Sequence, residues 1–319
     1  MNKKRPVKLS PAYKDYLWGG ERLKTYYGKQ TELSPLAESW ELSVHKDGQS
    51  IVASGECQGM TFGDYLDLIG KAALGKRAER FDYFPLLIKF IDAKQQLSVQ
   101  VHPSDEYAFS NEGEYGKTEM WYVIDCDDGA SLYYGFSRDV TREEYRKAID
   151  DGRLTDLLWE VPVKRGDVFF IPSGTVHAIG AGILICEIQQ NSNTTYRVFD
   201  YNRRDKNGNL RDLHVDKAVE VSCLEKSRKI EVVSDGDEVT LASCEYFDVK
   251  RLDLDGEKEI FVDEESFLSL IAIQGDAVLS FKDEKMKICA GESVFIPADA
   301  GAMLLNGKCQ LILSRIGKK

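Results

Sequence analysis

The residues best suited to chemistry are His102, Glu119 and His177, from a chain with only 4 His (45, 102, 177 and 214). His102 ends the run LSVQVHP (97–103). Alternate side chains of a strand share a face, so Ser98, Gln100 and His102 face one way and Leu97, Val99 and Val101 the other. Three polar groups turned inward are costly unless they bind something. Turned outward, they make an ordinary edge strand. His177 closes the spacing Gly166-Asp167-x4-Pro172-x-Gly174-x-x-His177, which reads as a strand, a tight turn and a histidine. Glu119 stands where a strand begins in GKTEMWY (116–122). His, Glu and His supply the nitrogen and oxygen donors that suit Zn2+ or a similar divalent ion. Gln100 could add a carbonyl oxygen as a fourth ligand.

Two further groups belong to the same chemistry. Lys117 and Glu119 straddle Thr118, so they share a face and Lys117 points toward the same pocket. Glu187 sits among Ile183, Leu184, Ile185 and Ile188 in the segment that ends YRVFDYNRR (196–204). A carboxylate there needs a partner, and burial beside charge can tune it as a base. Arg197 and Arg203 could fix an anionic group by forked hydrogen bonds. The plainer alternative is a structural Glu–Arg pair with surface arginines.

The elements that must position these residues are mostly short strands. Runs at 98–101, 120–125, 131–134, 167–171, 183–189 and 197–200 alternate with turns, a pattern of β-sandwiches and barrels. Helical spacing is local. It predicts a helix over 61–74, opened by Thr61, and a helix over 141–159 opened by Thr141 and Glu144 and split at Gly152. A short helix fits 21–26.

Composition narrows the function. The chain has 319 residues, which fits about two domains. Its formal charge is -11, which argues against nucleic acid or an anionic membrane as the main partner. No apolar run approaches the ~20 residues of a membrane span, and the basic start lacks the apolar stretch of an export signal. The 7 Cys have no CxxC spacing, so a reducing, cytoplasmic setting is expected.

RGDVFFIPSGTVH (165–177) is echoed by AGESVFIPADAGAM (290–303), with Ala302 in the place of His177. A fold unit repeated once, with the second copy stripped of ligands, explains the echo; chance similarity of two strand–turn segments is the alternative. With polar residues filling 205–240, including turns at 205–209 and 234–237, the division expected is 1–235 and 236–319.

The Gly–Pro–Gly–His spacing is similar to the second motif of the cupins. Taken together, LSVQVHP, GKTEMWY, IPSGTVHAIG and Glu187…Tyr196-Arg197 resemble the type I mannose-6-phosphate isomerases, most closely the short bacterial form. The resemblance covers roughly Trp18 through Arg203. It implies a mainly β, double-cupin fold of jelly-roll barrels with short helical insertions, a metal-binding catalytic first domain and a metal-free second one. It also implies an enzyme with one Zn2+ per chain, interconverting mannose 6-phosphate and fructose 6-phosphate through a cis-enediol. The family's metal ligands map onto Gln100, His102, Glu119 and His177, its active-site arginine onto Arg197, and other pocket positions onto Lys117, Glu187 and Ser98. Arg203 stands where longer members carry a basic residue, and the large helical insertion of those members is missing. Glu187 and a metal-activated water are both candidates for the base. The rivals are a cupin acting on another sugar phosphate, a non-catalytic sugar-binding cupin, and a two-His, one-carboxylate Fe(II) oxygenase.

Overall fold

The structure is a computed structural model and describes residues 5–204, 208–228, 233–235 and 237–319. The turns expected at 205–209 and 234–237, and with the second the 235/236 division, fall partly outside these residues.

Alternation of side chains builds the first barrel from two sheets. One has six strands, in the order Val168–Ile171, Glu119–Cys126, Ile183–Gln190, Leu86–Ala93, Glu38–Leu42 and Ala12–Lys14. The other has five, in the order Leu158–Pro162, Ser131–Phe136, His177–Ala178, Val99–Val101 and Tyr196–Phe199. On Ile183–Gln190, Leu184, Cys186 and Ile188 pack outward into a core shared with the C-terminal part, while Ile183 and Ile185 pack inside the barrel. Val99 and Val101 lie against the helices Arg142–Asp150 and Val215–Val221, which cap the outside of the five-stranded sheet.

The second barrel is a nine-stranded sheet that includes two long strands, Phe247–Val262 and Gly301–Ile316. Val7–Ser10 and Ile51–Val52 complete this sheet, Val7–Ser10 pairing with Ser293–Ile296. The first chain segment thus supplies strands to the second barrel. Between the barrels lies an apolar layer that includes Leu42, Phe90, Tyr122, Phe247 and Phe295.

The sequence echo has a counterpart in register. In the first barrel Phe170 pairs with Met120 and Ile171 with Glu119. In the second, Phe295 pairs with Ser269 and Ile296 with Leu268. Leu268 therefore occupies the place of Glu119. Around it Leu270, Val294, Ile296 and Met303 fill the interior, and Ala302 is exposed.

The helices differ in detail from the periodicity. Phe62–Ile69 is capped by Thr61, whose hydroxyl accepts from the Asp64 amide. It stops at Gly70, whose φ of 85° breaks the helix, and Lys71–Leu74 continues as a 3-10 turn. Gly152, φ 69°, ends the Arg142–Asp150 helix, after which Leu154–Asp156 makes one 3-10 turn. Trp159, expected in a helix, lies in the strand Leu158–Pro162 because its edge pairs with Ser131–Phe136. Asp105–Asn111 and Val215–Val221 are further helices, each of 7 residues and with one buried residue, Ala108 and Ala218.

Phe295 stacks edge-on to Phe62 at 5.0 Å and is fully buried in the layer between the barrels. All 4 Trp lie before residue 160, in the first barrel's segment. Phe295→Ala is expected to cost about 3–5 kcal/mol and to lower the urea midpoint read by tryptophan fluorescence. A midpoint that does not move would mean the two barrels unfold independently.

Candidate active site

Register places the charged side chains in a row. On neighbouring strands of the six-stranded sheet, Trp121 pairs with Glu187, Glu187 with Lys89 and Lys89 with Trp40. Cross-strand partners share a face, and this face lines the barrel. Opposite it, on the five-stranded sheet, His177 pairs with Gln100 and Gln100 with Arg197.

His102, Glu119 and His177 come together, with one ligand atom from each within 4.8 Å of the others. Glu119 Oε2 is 3.5 Å from His102 Nε2, and Glu119 Oε1 is 3.3 Å from His177 Nε2. All three are buried. His102 Nδ1 lies 2.9 Å from the Thr194 carbonyl and His177 Nδ1 2.8 Å from the Thr175 carbonyl. A carbonyl only accepts, so each Nδ1 carries the hydrogen and each Nε2 keeps its lone pair. Both Nε2 atoms lie near Glu119, whose Oε1 has no hydrogen-bond partner, and they accept from Lys117 Nζ at His102 and from Gln100 Nε2 at His177. Second hydrogen bonds of this kind orient metal-binding imidazoles. Gln100 Nε2 is 3.3 Å from His177 Nε2, which brings the Gln100 side chain to the same cluster.

Burial sets the charge states. It drives His177 down to about 3 and His102 well below the ordinary histidine range, and Lys117 pushes both the same way. Both rings are neutral at pH 7, the form that binds metals. Burial raises the Glu119 carboxyl against the pull of Lys117, and Glu187 adds to the rise. Burial presses on Glu187 too, but Lys117, Lys89 and the Trp121 indole hold it below the usual carboxylate range.

Lys117 is the hub. Its Nζ bonds Glu119 Oε2, lies 3.0 Å from His102 Nε2 and 3.9 Å from Glu187 Oε1. Glu187 Oε1 accepts from Trp121 Nε1 at 2.9 Å, and its Oε2 is 3.3 Å from Lys89. Lys89 stands 3.9 Å from Glu38, whose Oε2 accepts from Trp40 Nε1 at 2.6 Å, and 5.0 Å over the Trp40 ring. Burial lowers a lysine, yet Glu38 and Glu187 outweigh it and raise Lys89 above its ordinary range.

Sequence reasoning singled out neither Lys89 nor Glu38. The signal for Lys89 was the one used for Glu187: a charge inside an apolar strand, here FPLLIKFI (84–91). Ser98 is buried and lies just before the strand Val99–Val101.

A second group of basic residues lies at Arg197. Its Nη1 donates to the Asp212 carbonyl at 3.0 Å, while its buried Nε has no partner. Arg203 Nη2 donates to the Gln96 carbonyl at 2.5 Å, and its buried Nη1 likewise lacks a partner, as does the Tyr201 hydroxyl. Burial lowers Arg197 and Arg203, and the neighbouring Arg211 adds to it. Arg211 forks onto Asp200 at 2.7 and 2.5 Å. Tyr201 and Asn202 adopt φ of 54° and 55°, an uncommon conformation for such residues. Crowded positive charge with orphaned donors is an environment an anion relieves.

Two family models match the chain: the catalytic domain of type I phosphomannose isomerase over residues 7–122, and the cupin domain of mannose-6-phosphate isomerase over 237–316. Mannose-6-phosphate isomerase ManA of Bacillus subtilis is 38% identical, with 98% of this chain and 99% of that one aligned. Mannose-6-phosphate isomerase of Streptococcus mutans is 34% identical over 97% and 98% of the two chains. The crystal structure of mannose 6-phosphate isomerase from Bacillus subtilis superposes with a TM-score of 0.89, at 36% identity, covering 97% of this chain and 99% of that one.

Lys89→Met removes the lysine from the buried Glu38 carboxyl and leaves Glu187 with Lys117 alone, and is expected to destabilise the protein by about 3–5 kcal/mol in urea unfolding. Lys147→Met, at an ion pair with a 75% exposed lysine, is expected to cost less than ~0.5 kcal/mol. Equal costs would show that the Lys89 row carries no special load.

Proposed function

The chain belongs to the mannose-6-phosphate isomerase family, and from that membership we propose a zinc-dependent aldose–ketose isomerase that interconverts mannose 6-phosphate and fructose 6-phosphate through a cis-enediol. The observation that carries the metal reading is the meeting of two imidazole Nε2 lone pairs and the unpartnered Glu119 Oε1 in one buried spot. His102, Glu119 and His177 would hold one Zn2+ per chain, and turning over the Gln100 amide, whose Nε2 faces His177, would present its carbonyl oxygen as fourth ligand. Bound zinc supplies Lewis-acid stabilisation of negative charge on a sugar oxygen.

The protein's own groups account for the rest. Glu119 belongs to the ligand set, which leaves Glu187 as the carboxylate to carry a proton between C2 and C1. Lys89 and Lys117 hold it ionised, the state from which a base begins. Lys117 and Arg197 add positive charge where oxygen charge develops along the enediol path. Arg203 and the unpartnered donors near Arg197 bind the phosphate, and Ser98 lines the sugar pocket. Binding energy from the remote phosphate holds C1 and C2 in reactive geometry. The isomerase names of full-length relatives set the iron-oxygenase reading aside.

We place the enzyme in the cytoplasm because all 7 Cys are unpaired thiols, as a reducing compartment keeps them. Among the described residues no helix is long and apolar enough to cross a membrane.

The test is fructose 6-phosphate production from mannose 6-phosphate in a coupled assay, with chelator and zinc add-back. Activity should vanish on chelation and return with zinc. Glu187→Gln should lower kcat by about 10²-fold or more with zinc retained, and Arg203→Ala should act mainly on KM. No turnover by zinc-loaded protein would sink the isomerase assignment, and full activity of Glu187→Gln would move the base elsewhere.

A further inference from the structure

The two metal-facing imidazoles are fixed in different ways. His177 donates Nδ1–H to Thr175, two residues back in its own turn, so local chain geometry sets its ring. His102 donates to Thr194, a residue 92 positions away in the loop between Ile183–Gln190 and Tyr196–Phe199. Its orientation therefore depends on whatever holds that loop.

Glu114 does the holding. Its Oε2 accepts from Thr194 Oγ1 at 3.3 Å and lies 3.5 Å from the Asn193 amide. On its far side Lys46 Nζ bonds Oε1 at 2.5 Å, and His45 Nε2 stands 3.7 Å from Oε2. The same hairpin, Val44–His45 with Gly48–Gln49, reaches the loop again where Asn193 Nδ2 donates to Asp47 Oδ2 at 2.8 Å. Glu114 is only 17% exposed, so its bonds are little weakened by water.

We propose that Glu114, carried by Lys46 and His45, is a positioning residue that fixes the tautomer and ring orientation of His102 through the Thr194 carbonyl. It touches neither substrate nor metal ligand. The inference uses the metal reading only for its consequence, because the tautomer is a property of the protein by itself. Carboxylate-to-histidine contacts one layer out from a metal commonly change its affinity 10–100-fold. Here a peptide carbonyl is inserted in the chain of contacts, so the lower end, about tenfold, is expected.

The experiment compares wild type, Glu114→Ala and Glu114→Gln as full-length protein. Histidine ¹⁵N NMR on the zinc-stripped chain should show both His102 and His177 as Nδ1–H tautomers in wild type. Glu114→Ala should mix the tautomers of His102 and leave His177 unchanged, which a general loss of packing would not do. Zinc affinity, by competition with a chelator, should fall about tenfold. Glu114→Gln keeps an acceptor for Thr194 and should recover most of the His102 signal. An unchanged His102 tautomer in Glu114→Ala, or equal disturbance of both histidines, would overturn the proposal. A wild-type chain that binds no zinc would overturn the metal reading instead, and the tautomer result would still decide the role of Glu114.

Discussion

Charge buried inside the first barrel is the constraint on which the rest depends. Strand alternation turns Glu38, Lys89, Glu187, Lys117 and Glu119 toward one interior, and all five are buried. None could stay ionised there alone, since a lone ion in such surroundings neutralises instead. Acid and base alternate along the row, each lysine lying between two carboxyl groups, while burial still raises Glu119 at its end to about 8. The indoles of Trp40 and Trp121 satisfy lone pairs that the lysines do not. The row holds one more acid than base, and that surplus sits at the Glu119 end, beside two neutral imidazoles. A divalent cation is the complement of that arrangement.

The second barrel shows the same scaffold without this constraint. Its register repeats that of the first, yet Leu268 stands for Glu119 and Leu270 for Trp121. Leu, Ile, Val and Met fill the interior and no charge needs an answer. What the copy supplies is an apolar wall. Its other face, with Phe295 and Phe247, covers the outward side of the strands whose inward side bears Lys89 and Glu187. Those strands are buried on both faces, which is why Leu86–Ala93 and Ile183–Gln190 read as largely apolar runs interrupted by a few charges, Lys89 and Asp92 in one and Glu187 in the other.

Much of this was legible in the residues, for reasons that differ between positions. The strands showed through alternation and turn chemistry, and the helix starts through Thr61 and Thr141, because those signals are local. Gln100, His102, Glu119 and His177 were legible because their types are rare in such runs and their turns have fixed spacing. Lys89 and Glu38 were not, because a single Lys or Glu is usually a surface residue; only pairing across Glu38–Leu42, Leu86–Ala93 and Ile183–Gln190 reveals their partners. The repeat was visible as FIP in both halves, but Ala302 shows where register and alignment part. It sits on an outward position of Gly301–Ile316, so the second strand does not deliver a side chain where His177 enters the first barrel.

The ends of the pocket follow the same electrostatic logic. Near Tyr16, burial and then the Glu38 carboxylate raise the phenol to about 12, and that carboxylate disfavours added negative charge on its side. Toward Arg197, burial and Arg211 press on a guanidinium that remains charged, so that end attracts it. On the proposed function, a sugar phosphate would place its phosphate at the arginines. Gln100 links that end to the chemistry, being the cross-strand neighbour of both Arg197 and His177. The same strand thus sets the distance from Arg197 to His177, with neighbouring strands about 4.8 Å apart. Arg203 lies past the end of Tyr196–Phe199, beyond the turn at Tyr201 and Asn202. In the proposed isomerase, preference for a phosphorylated sugar would then rest on the fixed spacing of Arg197 and His177 across the strand Val99–Val101.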